Sequence, residues 1–360
     1  MAPGSRLRLA RLARGMSQQD LAGAAGVSRQ AVAGFESGQW DPSLRVALVL
    51  ARSLGVNVED LFGPQPEAPQ LDAIPLAPLT PAPCRVDLGQ VGPLLVALPL
   101  DGDRALQPGF SPAGGRAVPA GPARCRARPS AGLRPTLVVA GCDPALPLLR
   151  GPLGRLDRPV ELLWWPCGSA EALRLAAGGL VHVAGFHVGA DEPLSLPERS
   201  EMELVRFATW REGLASRPGL AHRVGGLADL AGTGLRLVNR EPGAEARELL
   251  DSQLTLAGID PEDVAGYDSS VAGHLLVASA VAAGTGDAGV TIEPAALAYG
   301  LDFTPFAEER SLLALPRFLL DTSEVQALLR VLATPAVQGQ LAGLPGYTHI
   351  AHCGERVPGD

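Results

Sequence analysis

The chain contains no lysine; all thirty of its basic residues are arginine, set against 38 Asp and Glu. Beside an excess of Ala, Gly, Pro and Leu, this reads as the codon bias of a GC-rich genome, so arginine content alone does not mark a nucleic-acid binder. Aromatics make up only 4%, which leaves Leu, Val and Ala to build the core. The five cysteines, Cys84, Cys125, Cys142, Cys167 and Cys353, are scattered without a C-x-x-C pair. Such an odd, sparse set excludes a disulfide framework and reads as reduced and cytoplasmic. No apolar run approaches the ~18 residues that would span a bilayer, so no membrane association is expected. Arg6, Arg8, Arg11 and Arg14 are followed by no apolar stretch, and no signal peptide is expected. The P-loop and the G-x-S-x-G elbow are also absent, which removes two legible signs of an enzyme.

What is present is unevenly arranged. The 360 residues are 46% hydrophobic and suffice for two or three domains. Residues 1–63 carry a net charge of +2 and the remainder −10, the profile of a basic head on an acidic body. The head reads as five helices within residues 5–63. Ser17 can cap a helix from Gln18 to about Ala24, Gly26 supplies a tight turn, and Ser28 can cap a second helix from Arg29 to about Glu36. Leu21, Val27, Val32 and Phe35 fall where two steeply crossed helices share a core. Asp41 and Pro42 open the next helix, whose stripe is Leu44, Leu48, Ala51 and Leu54; Gly55 closes it, and Asn57 caps a last turn.

On the second helix, Arg29, Gln30, Ala33 and Gly34 point outward in this reading. Arg and Gln carry the forks that match guanine and adenine edges, and Ala33 and Gly34 allow close approach. Gln18, Ser28, Ser37, Arg11 and Arg14 are candidate phosphate contacts. The runs MSQQDLAGAAGVSRQAVAGFESG and DPSLRVALVLARSLGVNVEDLF resemble the Cro/phage-repressor (Xre-type) family of helix-turn-helix regulators. That resemblance implies a homodimer on a two-fold double-stranded DNA operator. Gly34 stands where many members carry a longer base-contacting residue.

Residues 64–83 are Pro-rich and read as a semi-extended linker without helix or sheet. Residues 84–133 read as a small β segment and an irregular connector. From Arg134 onward, TLVVAG, VELLWW, LVHVAGF, LRLVN and DAGVTI are buried-strand-like runs alternating with helical stretches. That alternation predicts an α/β domain. LAAGGLVHVAG is echoed by VAAGTGDAG, through either composition or two similar lobes. Ligands of open α/β sheets bind at the carboxyl ends of strands, and five handovers qualify. They are Gly141-Cys142-Asp143; Gly168-Ser169 at a helix start, suited to an anion; His187 at a strand exit; Asn239-Arg240 before a Gly243 turn; and Ser269 or Ser270 capping a helix that carries His274. Nothing fixes Cys142, Asp143 and His187 as a catalytic set. Cys142, Cys167, His182 and His187 match no standard zinc spacing. No enzyme activity, cofactor or metal is therefore expected.

The order of AGCDPALPLL, GSAEALRLAAGGLVHVAGFHV, GLADLAGTGLRLVNREPGAEARELL and LAGLPGY makes residues 134–350 resemble the type 2 periplasmic-binding-protein-like domain. That domain is fused to helix-turn-helix heads in one-component regulators and occurs beside molybdopterin-biosynthesis domains. The resemblance implies two lobes around a cleft, lobe one about 134–205 and 295–350, lobe two about 210–292. It also implies a small-molecule effector: molybdate, tungstate or a pterin-type ligand. Relatives often carry Ser-His-Asp at positions 141–143, and Ser and Thr hydroxyls in the turn that here runs Arg240 to Arg247; Glu245 adds a negative charge to that turn. The expectation is a cytoplasmic regulator controlled by its ligand. The alternatives are a constitutive repressor with a C-terminal dimerisation scaffold, and an enzyme with a DNA-binding head.

Overall fold

The computed structural model describes residues 3–63, 69–80, 83–107, 109–194, 201–220, 227–231 and 234–358. They form two compact units, Met1–Ala68 and Pro69–Asp360.

The first unit holds the five expected helices, α1 (Pro3–Ala13), α2 (Gln18–Ala25), α3 (Arg29–Ser37), α4 (Leu44–Leu54) and α5 (Val58–Phe62). Ser17 and Asp20 cap α2 reciprocally, and the Ser28 hydroxyl accepts the Ala31 N–H at the start of α3. Leu7, Leu21, Val32, Leu50, Leu54 and Leu61 close the core. Arg6 donates to the Asp60 and Gly63 carbonyls at 3.2 and 2.6 Å, which ties α1 to the exit of α5. The start of α4 differs from expectation. Ser43, not Asp41, caps it, and the buried stripe is Ala47, Leu50, Ala51 and Leu54. Its first turn reaches past the core, so Leu44 is 73% and Leu48 42% exposed.

The bundle also contains an ion pair. Arg11 donates to Glu36 at 2.6 Å and to the Met16 carbonyl at 2.6 Å, and Gln18 donates to Glu36 at 2.9 Å. Burial pushes the Glu36 carboxyl up, but the bonds from Arg11 and Gln18 outweigh it and hold the group below the usual carboxylate range.

The second unit joins a barrel to a long sheet. β1 (Leu71–Pro75), β2 (Cys84–Val91), β3 (Leu94–Pro99), β6 (Gly115–Pro119) and β7 (Cys125–Pro129) close in the order β1-β3-β2-β6-β7. A short ribbon, β4 (Leu106–Gln107) and β5 (Gly109–Phe110), precedes β6. This corrects two readings. Leu71–Pro75, inside the Pro-rich segment, is a strand that pairs with both β3 and β7. The supposed connector supplies β6 and β7. Residues 64–68 and 81–82 of that segment lie outside the described residues. Gly89 seats the barrel on the sheet, since a Cβ there would overlap Val138, and the Gln90 N–H donates to the Thr136 hydroxyl at 3.2 Å.

The sheet runs β13-β12-β14-β11-β15-β10-β8-β9. The five expected strands are present as β8 (Thr136–Ala140), β9 (Glu161–Trp165), β10 (Val183–Gly189), β12 (Leu237–Arg240) and β14 (Ala288–Ile292). Ser270–Val271 is a short strand, β13, and not a helix cap. Helices α6 (Arg150–Gly154) and α7 (Ser169–Ala177) accompany the β8–β10 side; α8 (Glu245–Ala257) and α9 (His274–Ala282) accompany the β12–β14 side, and α10 (Glu293–Ala298) follows β14. α11 (Ser323–Leu332) and α12 (Pro335–Ala342) complete the unit. The two echoing sequence runs are the units α7-to-β10 and α9-to-β14, one on each side. Between the sides lie two fifteen-residue strands, β11 (Met202–Ser216) and β15 (Asp302–Pro316), paired antiparallel along their length. The register shifts at Glu212/Gly213, where a Cβ on Gly213 would overlap the Thr304 carbonyl.

Replacing Glu36 by Gln removes the charge that Arg11 faces. Amide exchange across α1–α3 of the full-length protein should then report a loss of about 2 kcal/mol, between the limits for exposed and fully buried pairs. In the native protein this contribution is present above the ordinary glutamate range and fades as pH falls through Glu36's lowered value. Unchanged exchange in the variant would show that the pair is dispensable.

Candidate functional site

Two regions carry the sequence candidates. On the helical unit, Arg29 and Gln30 are exposed on the first turn of α3, and neither side chain bonds to another described residue. Ser28 spends its hydroxyl on the cap, and the Ser37 hydroxyl donates to the Gly34 carbonyl at 3.0 Å. Three expectations need correcting. Arg11 is buried in its pair with Glu36 and is not offered to a phosphate. Gln18 donates into the same pair. Gly34 is buried under the Trp40 indole, where a Cβ would lie 2.5 Å from a ring carbon. The glycine is required by that ring and not by an approaching ligand. Ala33 is half-buried, and Arg14 is exposed with its guanidinium over the Gly55 turn.

In the second unit, a cavity of about 1080 Å³ opens at the carboxyl ends of β8, β9 and β12. Its walls include Cys142, Trp164 and Trp165 from one side of the sheet, Arg240 and His274 from the other, and Asp87 from the barrel. Behind the wall formed by Cys142, Arg240 and His274 lies a buried polar cluster. His187, within β10 and not at its exit, touches Glu309 of β15 through Nδ1 and lies 5.6 Å from the Trp210 ring. His274, the first residue of α9, has its ring 6.2 Å from that of His187 and its Nδ1 3.8 Å from Glu212 of β11. Cys142 joins the two histidines, with the three donor atoms within 4.8 Å of one another; His187, Glu212 and Glu309 form a second such trio. Glu212 is fully enclosed with its carboxyl against that of Glu309, and the Trp210 indole N–H has no hydrogen-bond partner among the described residues.

Electrostatics follow from this crowding. Burial pushes His187 down, but Cys142 and Glu309 outweigh it and hold the imidazole well above its ordinary value. Burial, Arg240 and His187 together push His274 well below. Burial and the neighbouring Glu309 raise Glu212 to about 8. The Arg240 guanidinium is gripped by both oxygens of Glu241, at 2.8 and 2.9 Å, and its Nη1 lies 3.1 Å from His274 Nδ1. His187 is thus flanked by the carboxyls of Glu309 at Nδ1 and of the half-exposed Glu245, 3.8 Å from its Nε2.

Several candidates prove structural. Asp143 is buried; its carboxylate accepts from the Tyr347 hydroxyl at 2.7 Å, the Ser311 hydroxyl at 2.9 Å and the Ala145 N–H at 2.8 Å. Burial raises its pKa despite those bonds. The Ser169 hydroxyl accepts the His187 N–H at 3.4 Å, and Gly168 serves as the helix cap. Asn239 bridges Arg240 N–H and the Tyr267 carbonyl. Gly141 packs on the Gly185 backbone, and Gly243 forms a turn at φ +82°. His182 accepts the Val138 N–H at 3.0 Å, an interior histidine held down to about 4 by burial. Glu212 and Glu309 went unnoticed because they lie on β11 and β15, strands that alternation did not reveal. The run Gly284–Gly289 has dinucleotide-fingerprint spacing but leads from a helix into β14, the reverse of that motif's order.

Comparison with known proteins agrees with this division. A PBP superfamily domain matches residues 151–333, and a helix-turn-helix domain matches residues 7–61. The YvgK protein of Bacillus subtilis is 33% identical over 145 residues, 40% of this chain and 46% of that protein, so the chain spans about half the length of this relative. The HTH-type transcriptional regulator MJ0272 of Methanocaldococcus jannaschii is 41% identical over 58 residues, 16% of this chain and 88% of that protein. Among solved structures, the restriction-modification controller protein C.AhdI of Aeromonas hydrophila is 43% identical, covering 17% of this chain and 92% of its own, with a TM-score of 0.17.

If Asp143 is a structural hub, Tyr347→Phe should lower stability by about 1.5–3 kcal/mol, the range for a hydrogen bond to a charged group. Asp143→Ala should cost more, because three buried donors lose their acceptor. Thermal denaturation of the full chain measures both; a melting temperature unchanged in Asp143→Ala would return the residue to the cleft.

Proposed function

We propose that this chain, which belongs to the PBP superfamily through residues 151–333 and carries a helix-turn-helix domain at residues 7–61, is a one-component transcriptional regulator whose operator binding is set by a small molecule in the cleft. The observation that carries the reading is the first turn of α3. A doubly capped helix pair holds Arg29 and Gln30 outward, unspent on the protein's own interior. Such an edge is built to meet base pairs, and the exposed Arg14 guanidinium is free to meet the phosphate backbone. Two-fold operators are read by dimers, and this regulator acts as a homodimer in the cytoplasm.

The second unit supplies the control. Strands β11 and β15 run through both halves of the sheet and act as the hinge. Gly168 on one side lies against the Gly243 carbonyl and Glu245 on the other, so a ligand contacting Cys142 and His187 on one side and Arg240 and His274 on the other stabilises closure. The shift in operator affinity can be no larger than the ligand's preference for the closed arrangement. The cavity volume is of the size that accepts a small metabolite or ion with its solvent shell. The cleft is a sensor in this reading and not a catalytic centre: Asp143, which would orient His187 in a triad, is held by the Tyr347 and Ser311 hydroxyls and the Ala145 N–H instead.

Arg29→Ala should weaken operator binding by about 1–3 kcal/mol and relax preference at one base position. Random-site selection followed by gel-shift titration reads both. An unchanged preference would rule out this edge as the reading surface.

A further inference from the structure

We infer that the buried cluster behind the Cys142–His274 wall of the cleft binds a divalent transition-metal ion of the zinc, cobalt and nickel class, held by Cys142, His187 and His274 with the carboxyls of Glu212 and Glu309 beside them. This rests on the cleft being the effector site and names the effector's chemical class.

Geometry comes first. The trio Cys142, His187 and His274 and the trio His187, Glu212 and Glu309 share one imidazole, and within each the donor atoms lie within 4.8 Å of one another. Ligands about 2.0–2.3 Å from a common ion stand roughly 3.3–4.6 Å apart, so the Cys142, His187 and His274 trio can close on one ion with a small adjustment. All five side chains are buried, unlike a solvated acidic face.

The donor chemistry selects the ion. One thiol and two imidazoles favour borderline transition metals over magnesium or calcium, which prefer oxygen alone. Glu212 adds a second observation: its carboxyl is fully enclosed, lies against Glu309 and stands 3.8 Å from His274 Nδ1, so an ion held by the imidazoles would have an oxygen donor at hand. The Arg240 guanidinium gives Nε and Nη2 to Glu241 and turns Nη1 to His274, so Glu241 balances its charge beside the cluster. An anionic ligand in the cluster would instead meet the Glu309 carboxylate that His187 Nδ1 touches. Cys142 follows β8, His187 lies on β10, Glu212 on β11, His274 opens α9 and Glu309 lies on β15. The set is assembled by the fold from five separate elements, so no short motif announces it.

The test uses the full-length chain, stripped with a chelator and titrated with Zn²⁺ or Co²⁺ alone. Uptake of about one ion per chain with a raised melting temperature is expected, and cobalt should give a thiolate charge-transfer band. Cys142→Ser should abolish that band, and Glu212→Gln should weaken binding by about tenfold or more; circular dichroism establishes that each variant is folded. The band itself requires only the native protein, so a variant that fails to fold leaves the test intact. No stoichiometric uptake, or uptake unchanged in both variants, overturns the site. Stabilisation by molybdate and by neither metal overturns it too, while leaving the regulator reading standing. A gel shift with and without Zn²⁺ separates the two: an ion bound with the variant-sensitive signature that leaves operator affinity unchanged upholds the site and removes its role as effector.

Discussion

The antiparallel pairing of β11 with β15 is the constraint on which the second unit depends. Both strands are fifteen residues long and occupy the centre of an eight-stranded sheet. β10 hydrogen-bonds to β15 on one side and β14 to β11 on the other, so each half of the sheet is built outward from this pair. Trp210 and Glu309 face each other in its register, and the register shift beside Glu212 lies where the two halves meet. The same pairing therefore joins the lobes and delivers Glu212 and Glu309 between the histidines.

The head was largely legible because its signals are local. A cap, a left-handed glycine and a run of apolar residues each act within one or two turns, and Ser17, Gly26, Ser28 and Gly55 all sit where the sequence places them. Its errors were of a different kind. Arg11 and Gln18 look like solvated polar residues on a helix, and only tertiary contact reveals Glu36 between them. Gly34 suggested a steric demand correctly, but the demanding group is six residues away in the chain and not in a ligand.

The larger unit was legible strand by strand and not as a whole. Continuous apolar runs such as Thr136–Ala140 identify fully buried parallel strands. β11 and β15 escaped because charged residues interrupt their apolar runs, several of them paired by the fold, as Glu203 is with Arg317 and Arg211 with Glu293. The barrel escaped because its strands are short and rich in Pro, Gly and Arg, so each reads as loop until closure pairs it. The cleft's titratable set was half visible: Cys142, His187, Arg240 and His274 stand at or near strand ends, whereas Glu212 and Glu309 become neighbours only through strand register.

The seat of Gly89 on Val138 has a consequence for how this molecule can be divided. The barrel and the first lobe share one apolar interior, with Leu76, Val91, Val96 and Leu98 continuous with Leu137 and Val139. Severing the polypeptide at residue 134 would uncover that interior and strip Asp87 and its neighbours from the mouth of the ligand chamber. The smallest portable sensor therefore begins at the first barrel strand, and the barrel is a structural wall of that sensor.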